Sequence, residues 1–228
     1  MIQFYVETIA DGVARLAPED AHHALRVLRM QPGDEAAVVC GGARYLARLS
    51  EGGDFRVLSA LPSTEARTRV TVYQGIAKGE RMDYAVQKCG EIGVAAFVPV
   101  NMGRCVATAN ANKLARWRRI AKESGQQAQR TAIMPVADAL DFSGLIAALA
   151  RHEQALILWE AERALSLRAA YLGARDVALV IGPEGGIAKE ERERLPAQAV
   201  TLGRRILRTE TAGPVAAACV LLLAGDMA

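Results

Sequence analysis

The stretch "LVIGPEGGIAKEE", residues 179–191, decides the fold prediction. Its apolar first half is typical of a buried strand, which ends at Gly182-Pro183. Gly185 and Gly186 then lead into a charged segment that is typical of a helix. A strand that ends on a backbone nearly free of side chains either needs only a tight turn or lets another molecule approach that backbone.

A second stretch near the C-terminus repeats this design. "LGRRILRTETAGPVAA", residues 202–217, ends an apolar segment at Gly203 and reaches a predicted helix through an arginine-rich loop. Ile206 and Leu207 stand among these arginines, which favours a lid over a ligand, because a solvated loop does not need apolar residues. Neither stretch matches GxGxxG or GxxxxGK[ST], so the common nucleotide-phosphate sites are not indicated.

Composition sets broad limits on function. The 228 residues are 51% hydrophobic and 23% charged, which suits a globular chain with one large domain or two smaller ones. A net charge of +3 does not by itself indicate a nucleic-acid partner. The four cysteines lack metal-ligand spacing, so reduced thiols and no metal site are expected. The N-terminus has no signal-peptide pattern and the longest apolar run is too short to span a bilayer, so we expect a cytoplasmic protein without a membrane partner.

The first third of the sequence differs in pattern from the rest. Residues 1–60 hold short alternating segments separated by glycine pairs, which predict a small β-rich unit. Residues 18–35 interrupt them with one predicted helix, on which His22 and His23 are expected to pack or cap. The polar, aperiodic residues 62–68 are the predicted linker.

Strands and helices alternate after this linker. The pattern predicts a mostly parallel sheet covered by helices on both faces. A long basic helix is predicted in residues 111–130, "ANKLARWRRIAKESGQQAQR". Trp117 and Trp159 are expected to be core or interface anchors.

The two glycine-containing stretches resemble motifs of a known superfamily. "IGPEGG" and "LGRRILRTETA" resemble the two C-terminal motifs of the SPOUT methyltransferases. "HHALRVLRMQPGDE", "KGERMDYAVQKCGEIGV" and "KLARWRRIAKESGQQAQR" resemble, in order, segments of the bacterial RsmE family, which methylates N3 of a uridine in 16S ribosomal RNA. The resemblance covers nearly the whole chain.

This resemblance implies a fold, a cofactor and partners. The fold would be α/β, with a SPOUT-type deep trefoil-knot domain and a parallel sheet in residues 69–228, preceded by a small PUA-like β-barrel that binds RNA in residues 1–66. The cofactor would be S-adenosylmethionine. The partners would be 16S ribosomal RNA, within the small ribosomal subunit, and a second copy of the chain in a homodimer.

The resemblance also assigns roles to residues in both loops. Backbone groups there would hold the adenosine part of the cofactor, although Glu184 has an alternative role as a cap of the following helix. The implied cofactor-binding residues are Ile181, Gly182, Pro183, Glu184, Gly185, Leu202, Gly203, Ile206, Leu207 and Arg208.

Two arginines are implied to be catalytic. Arg104 matches a position where related enzymes place an arginine near the reacting group, and Arg208 is the second. A guanidinium could stabilise a developing uracil anion or hold a phosphate. The alternative for Arg104 is an ordinary loop cation, and Thr209 or Thr211 could cap the last helix.

The basic residues favour contact with RNA once the resemblance is considered. Taken alone, the predicted basic helix could equally be a solvated face. The implied RNA-binding residues are Arg26, Arg29, Arg116, Arg119, Lys122, Gln127 and Arg130.

Three other functions stay open at this point. They are ribose 2′-O methylation by another SPOUT specificity, RNA binding without catalysis in ribosome assembly, and nucleotide-dependent transfer, for which the required Lys-Ser/Thr is missing. The sequence departs from the resembled family at Gly213-Pro214, which follows "RTETA". Proline is tolerated in a first helical turn, so we expect it to define the start of the last helix.

Overall fold

A computed structural model describes residues 1–227, which form two compact units. Met1–Glu65 and Gly125–Ile133 make up the first unit. Ala66–Ser124 and the described residues of Met134–Ala228 make up the second. The domain boundaries expected from the sequence therefore left the segment Gly125–Ile133 out of the first unit.

The first unit is built on a six-stranded sheet with the order β1-β4-β5-β6-β3-β2. The pair β1–β4 is parallel and the other pairs are antiparallel. Phe4 and Phe55 are buried in its core, with ring centroids 5.8 Å apart. The strands are β1 Gln3–Tyr5, β2 Ile9–Ala10, β3 Val13–Ala14, β4 Glu35–Cys40, β5 Ala43–Leu49 and β6 Phe55–Leu61.

The predicted helix of this unit is shorter and less regular than expected. An α-helix, α1, covers Pro18–His22 and continues as a π-helical segment over His23–Val27. Arg29 follows with φ of 56°, a conformation that ends the helical path. His22 and His23 were expected to pack or cap; both are exposed, and neither helical segment begins with a side-chain cap, so neither role is observed.

Glu65 connects the two segments of the first unit, because it ends the segment Met1–Glu65 and binds residues of the segment Gly125–Ile133. Its carboxylate accepts hydrogen bonds from the Arg130 guanidinium, at 2.5 Å from Nη2, and from the backbone N–H of Thr131 and Ala132, at 2.8 and 3.1 Å. The Arg130 carbonyl accepts a hydrogen bond of 2.6 Å from Gln3 Nε2. The expected linker, residues 62–68, spans the boundary between the units, and its residue Glu65 is hydrogen-bonded within the first unit.

This arrangement corrects one predicted RNA contact. The Arg130 side chain is only 6% exposed, and its guanidinium binds Glu65 inside the unit. A buried, paired guanidinium is not presented to a phosphate backbone. We therefore remove Arg130 from the candidate RNA-binding residues.

The second unit contains the expected parallel sheet. All four pairs in the five-stranded order β11-β9-β10-β7-β8 are parallel. The strands are β7 Arg69–Gly75, β8 Ala96–Val100, β9 Gln154–Leu158, β10 Asp176–Ile181 and β11 Gln198–Val200. The helices are α2 Arg81–Ile92, α3 Ala111–Gln127, which continues into the first unit, α4 Phe142–Leu149, α5 Leu167–Ala170, α6 Lys189–Arg194 and α7 Thr209–Leu223.

Both faces of this sheet are covered, as the alternation of strands and helices predicted. Successive strand residues point to opposite faces. On β10, Leu179 joins the core cluster that includes α2 and α7, whereas Val180 joins the cluster that includes Leu145 of α4. Side chains on both faces are fully buried, which explains the continuous apolar runs of these strands.

The last helix begins earlier than expected. It starts at Thr209, so Pro214 lies in its second turn rather than its first, and the expectation that Pro214 defines the start is wrong. Gly213 and Pro214 are both buried. A Cβ at Gly213 would lie 3.4 Å from Gln74 Oε1, so this helix packs tightly against β7. In the part of the chain that the structure describes, no helix is long and apolar enough to cross a membrane.

Asp226 anchors the end of α7 to the start of β7. Its two carboxylate oxygens accept the backbone N–H groups of Arg67 and Thr68 at 3.2 and 2.9 Å. Burial alone would raise the pKa of this carboxyl, but the hydrogen bonds from Thr68 and Arg67 outweigh it and hold the pKa below the ordinary 3.8. The ionised form is therefore favoured in the folded state.

We expect this contact to make stability depend on pH in acid. A lowered pKa stabilises the fold above the unfolded-state pKa, and that contribution is lost as pH falls through the lower pKa of the folded state. Asp226→Asn should therefore melt below the wild type near neutral pH, and the difference should vanish in strong acid. Thermal unfolding across this range checks it, with Asp138→Asn as a control because that side chain is 84% exposed. A difference that does not change with pH would contradict the argument.

Candidate cofactor site

A cavity of about 550 Å³ opens at the carboxyl ends of β9, β10 and β11. Ligands in open α/β sheets gather at this edge, and small-molecule sites commonly have volumes of ~300–1,000 Å³. All ten residues that the sequence suggested for cofactor binding line this cavity. The two glycine-containing stretches are thus parts of one site.

The loop that follows β10 is held close to the end of β7. A Cβ at Gly75 would lie 2.6 Å from both Cδ and N of Pro183. A Cβ at Gly182 would lie 2.8 Å from Ile187 Cγ1 and 3.0 Å from the Gly186 carbonyl carbon. Gly186 has φ of +71°, which favours glycine. The turn therefore requires glycine because its backbone packs directly against neighbouring backbone and side chains, with no room for a Cβ.

The loop that follows β11 has an exposed middle and fixed ends. Gly203 has φ of +114°, and Ile206 is 71% exposed. Leu207 is half-buried and also lines the cavity. An exposed isoleucine at the mouth of a cavity is consistent with the expected role of this loop as a lid.

Gln74 and Thr209 connect the two loops through hydrogen bonds. The buried Gln74 Nε2 donates to Thr209 Oγ1 at 2.7 Å, and Thr209 Oγ1 donates to the Gly182 carbonyl at 2.5 Å. We call this chain of hydrogen bonds the Gln74–Thr209–Gly182 clasp. It corrects the expectation that Thr209 caps α7, since the first turn of that helix has no side-chain cap.

Arg81 of α2 forms a second connection. Its Nη1 donates to Glu184 Oε1 at 3.0 Å, and its Nε lies 3.8 Å from Glu210 Oε2. Glu184 Oε1 also accepts the backbone N–H of Lys78 at 2.8 Å. Glu184 therefore fixes the first loop to the β7–α2 connection and does not cap the helix that follows it.

Sequence reasoning missed the contribution of the loop after β9. Trp159, Glu160 and Arg163 line the cavity, so Trp159 is not simply a core anchor as expected. The Arg192 guanidinium lies over the Trp159 ring, 5.8 Å from its centroid, a cation–π contact that helps to fix the ring. The position of this loop in the sequence could have indicated its role in the site, because it also follows the carboxyl end of a parallel strand.

Family comparisons agree with this geometry. The model of the RNA methyltransferase domain matches residues 64–221, and that of the RNA methyltransferase PUA domain matches residues 16–57. Ribosomal RNA small subunit methyltransferase E of Mycobacterium bovis is 36% identical, covering 96% of this chain and 91% of its own. The Bacillus subtilis protein of the same name is 30% identical, covering 85% and 84%. The chain belongs to the ribosomal RNA small subunit methyltransferase E family.

Solved structures support the same family. A family member from Neisseria gonorrhoeae, bound to S-adenosyl methionine, has a TM-score of 0.88 and 31% identity, with 98% of both chains covered. A putative methyltransferase from Legionella pneumophila in complex with the bound cofactor has a TM-score of 0.86 and 29% identity, with 97% of both chains covered.

The cavity of the present chain fits S-adenosylmethionine. Apolar Ile181, Leu202 and Leu207 offer cover for an adenine ring, and the loop backbones offer polar groups to its edges. Glu160 and Arg208 at the lining could bind the charged groups of the methionine part. When bound, the cofactor supplies an electrophilic methyl group.

The two arginines suggested for catalysis have different positions. Arg208 is exposed and lines the cavity. Arg104 is exposed beside the first loop, where its Nη1 donates to the Gly185 carbonyl at 2.9 Å. A Cβ at Gly185 would lie 3.2 Å from Arg104 Cβ, so the two backbones are in close contact.

The suggested RNA-binding residues differ in their exposure to solvent and in their ion pairs. Arg26 is exposed within the π-helical segment, Arg29 is exposed just after it, and Gln127 is exposed at the end of α3. Arg116 pairs with Asp83 at 2.6 Å, and Arg119 lies 3.6 Å from Glu123. Lys122 is half-buried on the same helix. Their role in RNA binding stays a prediction.

We expect the Gln74–Thr209–Gly182 clasp to set cofactor affinity. Thr209→Val keeps the shape of the side chain but leaves a buried amide donor and the Gly182 carbonyl without their shared partner. Such a loss costs about 1–3 kcal/mol, so the dissociation constant for S-adenosylmethionine should rise roughly 5- to 150-fold. Calorimetric titration measures it, with Thr211→Val as the control on the same helix. Thr209→Ser should restore affinity, and an unchanged affinity of Thr209→Val would contradict the role of the clasp.

Proposed function

We propose that this chain transfers the methyl group of S-adenosylmethionine to N3 of a uridine in small-subunit ribosomal RNA. Membership of its family makes it an S-adenosylmethionine-dependent ribosomal RNA methyltransferase. The observation that carries the proposal is the single cavity lined by both loops. The choice of uracil N3 rests on the resemblance of the motifs over the whole chain.

The reaction asks for two things from the protein. The N3 nitrogen of uracil carries a proton near neutral pH, so the proton must leave as the nitrogen attacks the methyl carbon. The nitrogen, the methyl carbon and the sulfur must also be aligned. We propose that the backbones of residues 181–185, 202–203 and 206–208 hold the cofactor in place for this alignment.

Arg104 and Arg208 are the proposed catalytic residues. Deprotonation places negative charge on the uracil ring, and a guanidinium near the cavity stabilises that charge. The hydrogen bond from Arg104 to the Gly185 carbonyl supports its position beside the cofactor loop. The position of Arg208 on the cavity lining supports a role in both binding and catalysis.

We further propose that this chain has the knotted topology of the SPOUT family and is located in the cytoplasm. The non-sequential strand order β11-β9-β10-β7-β8 and the two adjacent cofactor loops support a deep trefoil knot in residues 69–228. The match of residues 16–57 to a PUA domain supports a PUA-like barrel in residues 1–66. The ribosomal substrate supports the cytoplasm as the location.

The function is tested with methyl-labelled S-adenosylmethionine and small ribosomal subunits that lack the modification. After digestion, the labelled nucleoside is identified by chromatography and mass. Label in 3-methyluridine is the expected result. Label in a 2′-O-methyl nucleoside would overturn the N3 specificity, and cofactor binding without transfer would favour a non-catalytic RNA-binding protein.

A homodimer formed through α7 is also proposed. Val215, Leu222 and Leu223 are 37%, 59% and 41% exposed on this helix, while Val220 and Leu221 are fully buried. Positions separated by seven or eight residues lie on one helical face, so these three side chains form an apolar stripe. A stripe of this kind favours contact with a second copy.

We expect Leu222→Glu to convert a dimer to a monomer. A buried unpaired carboxylate is costly in an apolar interface, whereas it is well solvated on a free monomer. Sedimentation velocity at micromolar concentration measures the change. Leu172→Glu is the control, because Leu172 is 84% exposed and lies outside α7. A monomeric wild type would contradict the proposed dimer.

A further inference from the structure

Three arginines at the mouth of the cavity are exposed. Arg163 follows β9, and Arg204 and Arg205 lie in the loop after β11. Arg163 and Arg205 line the cavity, and Arg204 adjoins it in sequence. Among residues 1–227, no carboxylate forms an ion pair with any of these three guanidinium groups. We call them the mouth arginines.

The arginines of α3 present the opposite situation. Arg116 pairs with Asp83 at 2.6 Å, and Arg118 pairs with Asp138 at 2.8 Å. Arg118 also donates to the Val136 carbonyl at 3.0 Å, and Arg119 lies 3.6 Å from Glu123. The sequence shows a basic run here, but Arg116 and Arg118 are paired with acids outside α3, and Arg119 lies near an acid of the same helix.

The carboxylates around the cavity do not compensate the mouth arginines. Glu184 and Glu210 both interact with Arg81. Glu162 accepts the backbone N–H groups of Ala164 and Leu165. Glu160 is the remaining carboxylate on the cavity lining. It faces Arg208, which also lines the cavity, as well as the three mouth arginines, so the mouth carries an excess of positive charge.

A phosphate backbone is the ligand that best matches this excess. Guanidinium groups bind phosphate oxygens through paired, charge-assisted hydrogen bonds. A cation that has no intramolecular partner gains the full interaction, whereas a paired cation must first give up its acid. Binding of phosphates also releases condensed counterions, which supplies much of the affinity for nucleic acids.

We infer that Arg163, Arg204 and Arg205 bind phosphates of the RNA that flank the target nucleotide, and that they contribute more to RNA affinity than the basic face of α3. This inference rests on the proposed function, because it needs a target base to enter the cavity. The mouth arginines come from two different loops on the cavity, so they can contact more than one phosphate of the RNA backbone.

The test compares two charge-matched triple variants of the full-length protein. One is Arg163→Gln/Arg204→Gln/Arg205→Gln, and the other is Arg116→Gln/Arg118→Gln/Arg119→Gln. Binding to unmodified small ribosomal subunits is measured at several salt concentrations, and S-adenosylmethionine binding is measured by calorimetry. The mouth variant should lose affinity at low salt, and the slope of log affinity against log salt should fall by about 2–3. The α3 variant should change the slope by less than ~1.

The outcomes separate this inference from the function on which it rests. Cofactor affinity should be unchanged in both variants, which also shows that both are folded. RNA binding by the mouth variant that equals the wild type would overturn the inference while wild-type methylation still supports the function. If the mouth variant lost cofactor affinity as well as RNA affinity, the mouth arginines would be binding the carboxylate of the cofactor, and the inference would be overturned. A wild type that neither binds nor methylates the subunit would overturn the proposed function itself.

Discussion

Replacing Gly75 with alanine is expected to weaken S-adenosylmethionine binding by about a hundredfold. The added Cβ would lie 2.6 Å from Cδ and N of Pro183 and 3.0 Å from the Gly182 carbonyl carbon. These atoms belong to a proline ring and to backbone, so no flexible side chain can move aside. The loop after β10 must shift instead. A backbone group of this loop that loses its hydrogen bond to the cofactor costs about 1–3 kcal/mol, and about 2.8 kcal/mol corresponds to a hundredfold weaker binding.

Calorimetric titration of the cofactor into Gly75→Ala measures this effect. Gly52→Ala is a suitable control, because a Cβ there would meet only Ser50 Oγ at 3.9 Å. Gly52 also lacks the positive φ at which alanine would be strained. Cofactor affinity of Gly75→Ala within threefold of the wild type would show that the loop position does not control binding.

Replacing Glu65 with alanine is expected to destabilise the first unit by about 3–5 kcal/mol, the usual cost of removing one partner of a buried ion pair. Its carboxylate accepts hydrogen bonds from Arg130, Thr131 and Ala132, and the Arg130 side chain is only 6% exposed. The substitution therefore removes an anion that three donors share. The effect should be local to the first unit, because all these residues lie within it.

Hydrogen exchange of backbone amides measures this local stability. Exchange of first-unit amides in Glu65→Ala should accelerate strongly, while amides of β7 and β10 should keep their protection. Glu123→Gln provides the comparison with an exposed pair, for which about 0.5 kcal/mol or less is expected. Protection of the first unit within 1 kcal/mol of the wild type would contradict the proposed importance of this carboxylate.

Local pattern was sufficient to predict most of the second unit. Continuous apolar runs such as that of β10 require burial on both faces, so they identify a parallel sheet. The carboxyl ends of such strands share one edge, where ligands gather, and the resemblance of the two motifs to those of the SPOUT methyltransferases implied that both loops bind one cofactor. The same rule could have included Trp159 and Glu160, since they follow the end of β9.

Contacts between distant residues were not predictable in this way. Arg130 has the composition of a surface cation, and only the position of Glu65 in three dimensions makes it a buried partner. The pairing of Arg116 with Asp83 is invisible for the same reason. Gln74 reads as one polar residue in an apolar strand, and its role depends on Thr209, which lies 135 positions later in the chain.

The composition of the first unit has a consequence for biosynthesis. A chain leaves the ribosome from its N-terminus, at about 5–20 residues per second, and domains generally fold as units once their residues are available. The hydrogen-bond partners of Glu65 lie in Gly125–Ile133. Some sixty further residues must therefore be translated, which takes at least several seconds, before these hydrogen bonds can form. During that interval β7, α2 and β8 have already been translated. The N-terminal unit of this ribosomal RNA methyltransferase is therefore completed only after the first part of the second unit, Ala66–Ser124, has been synthesised.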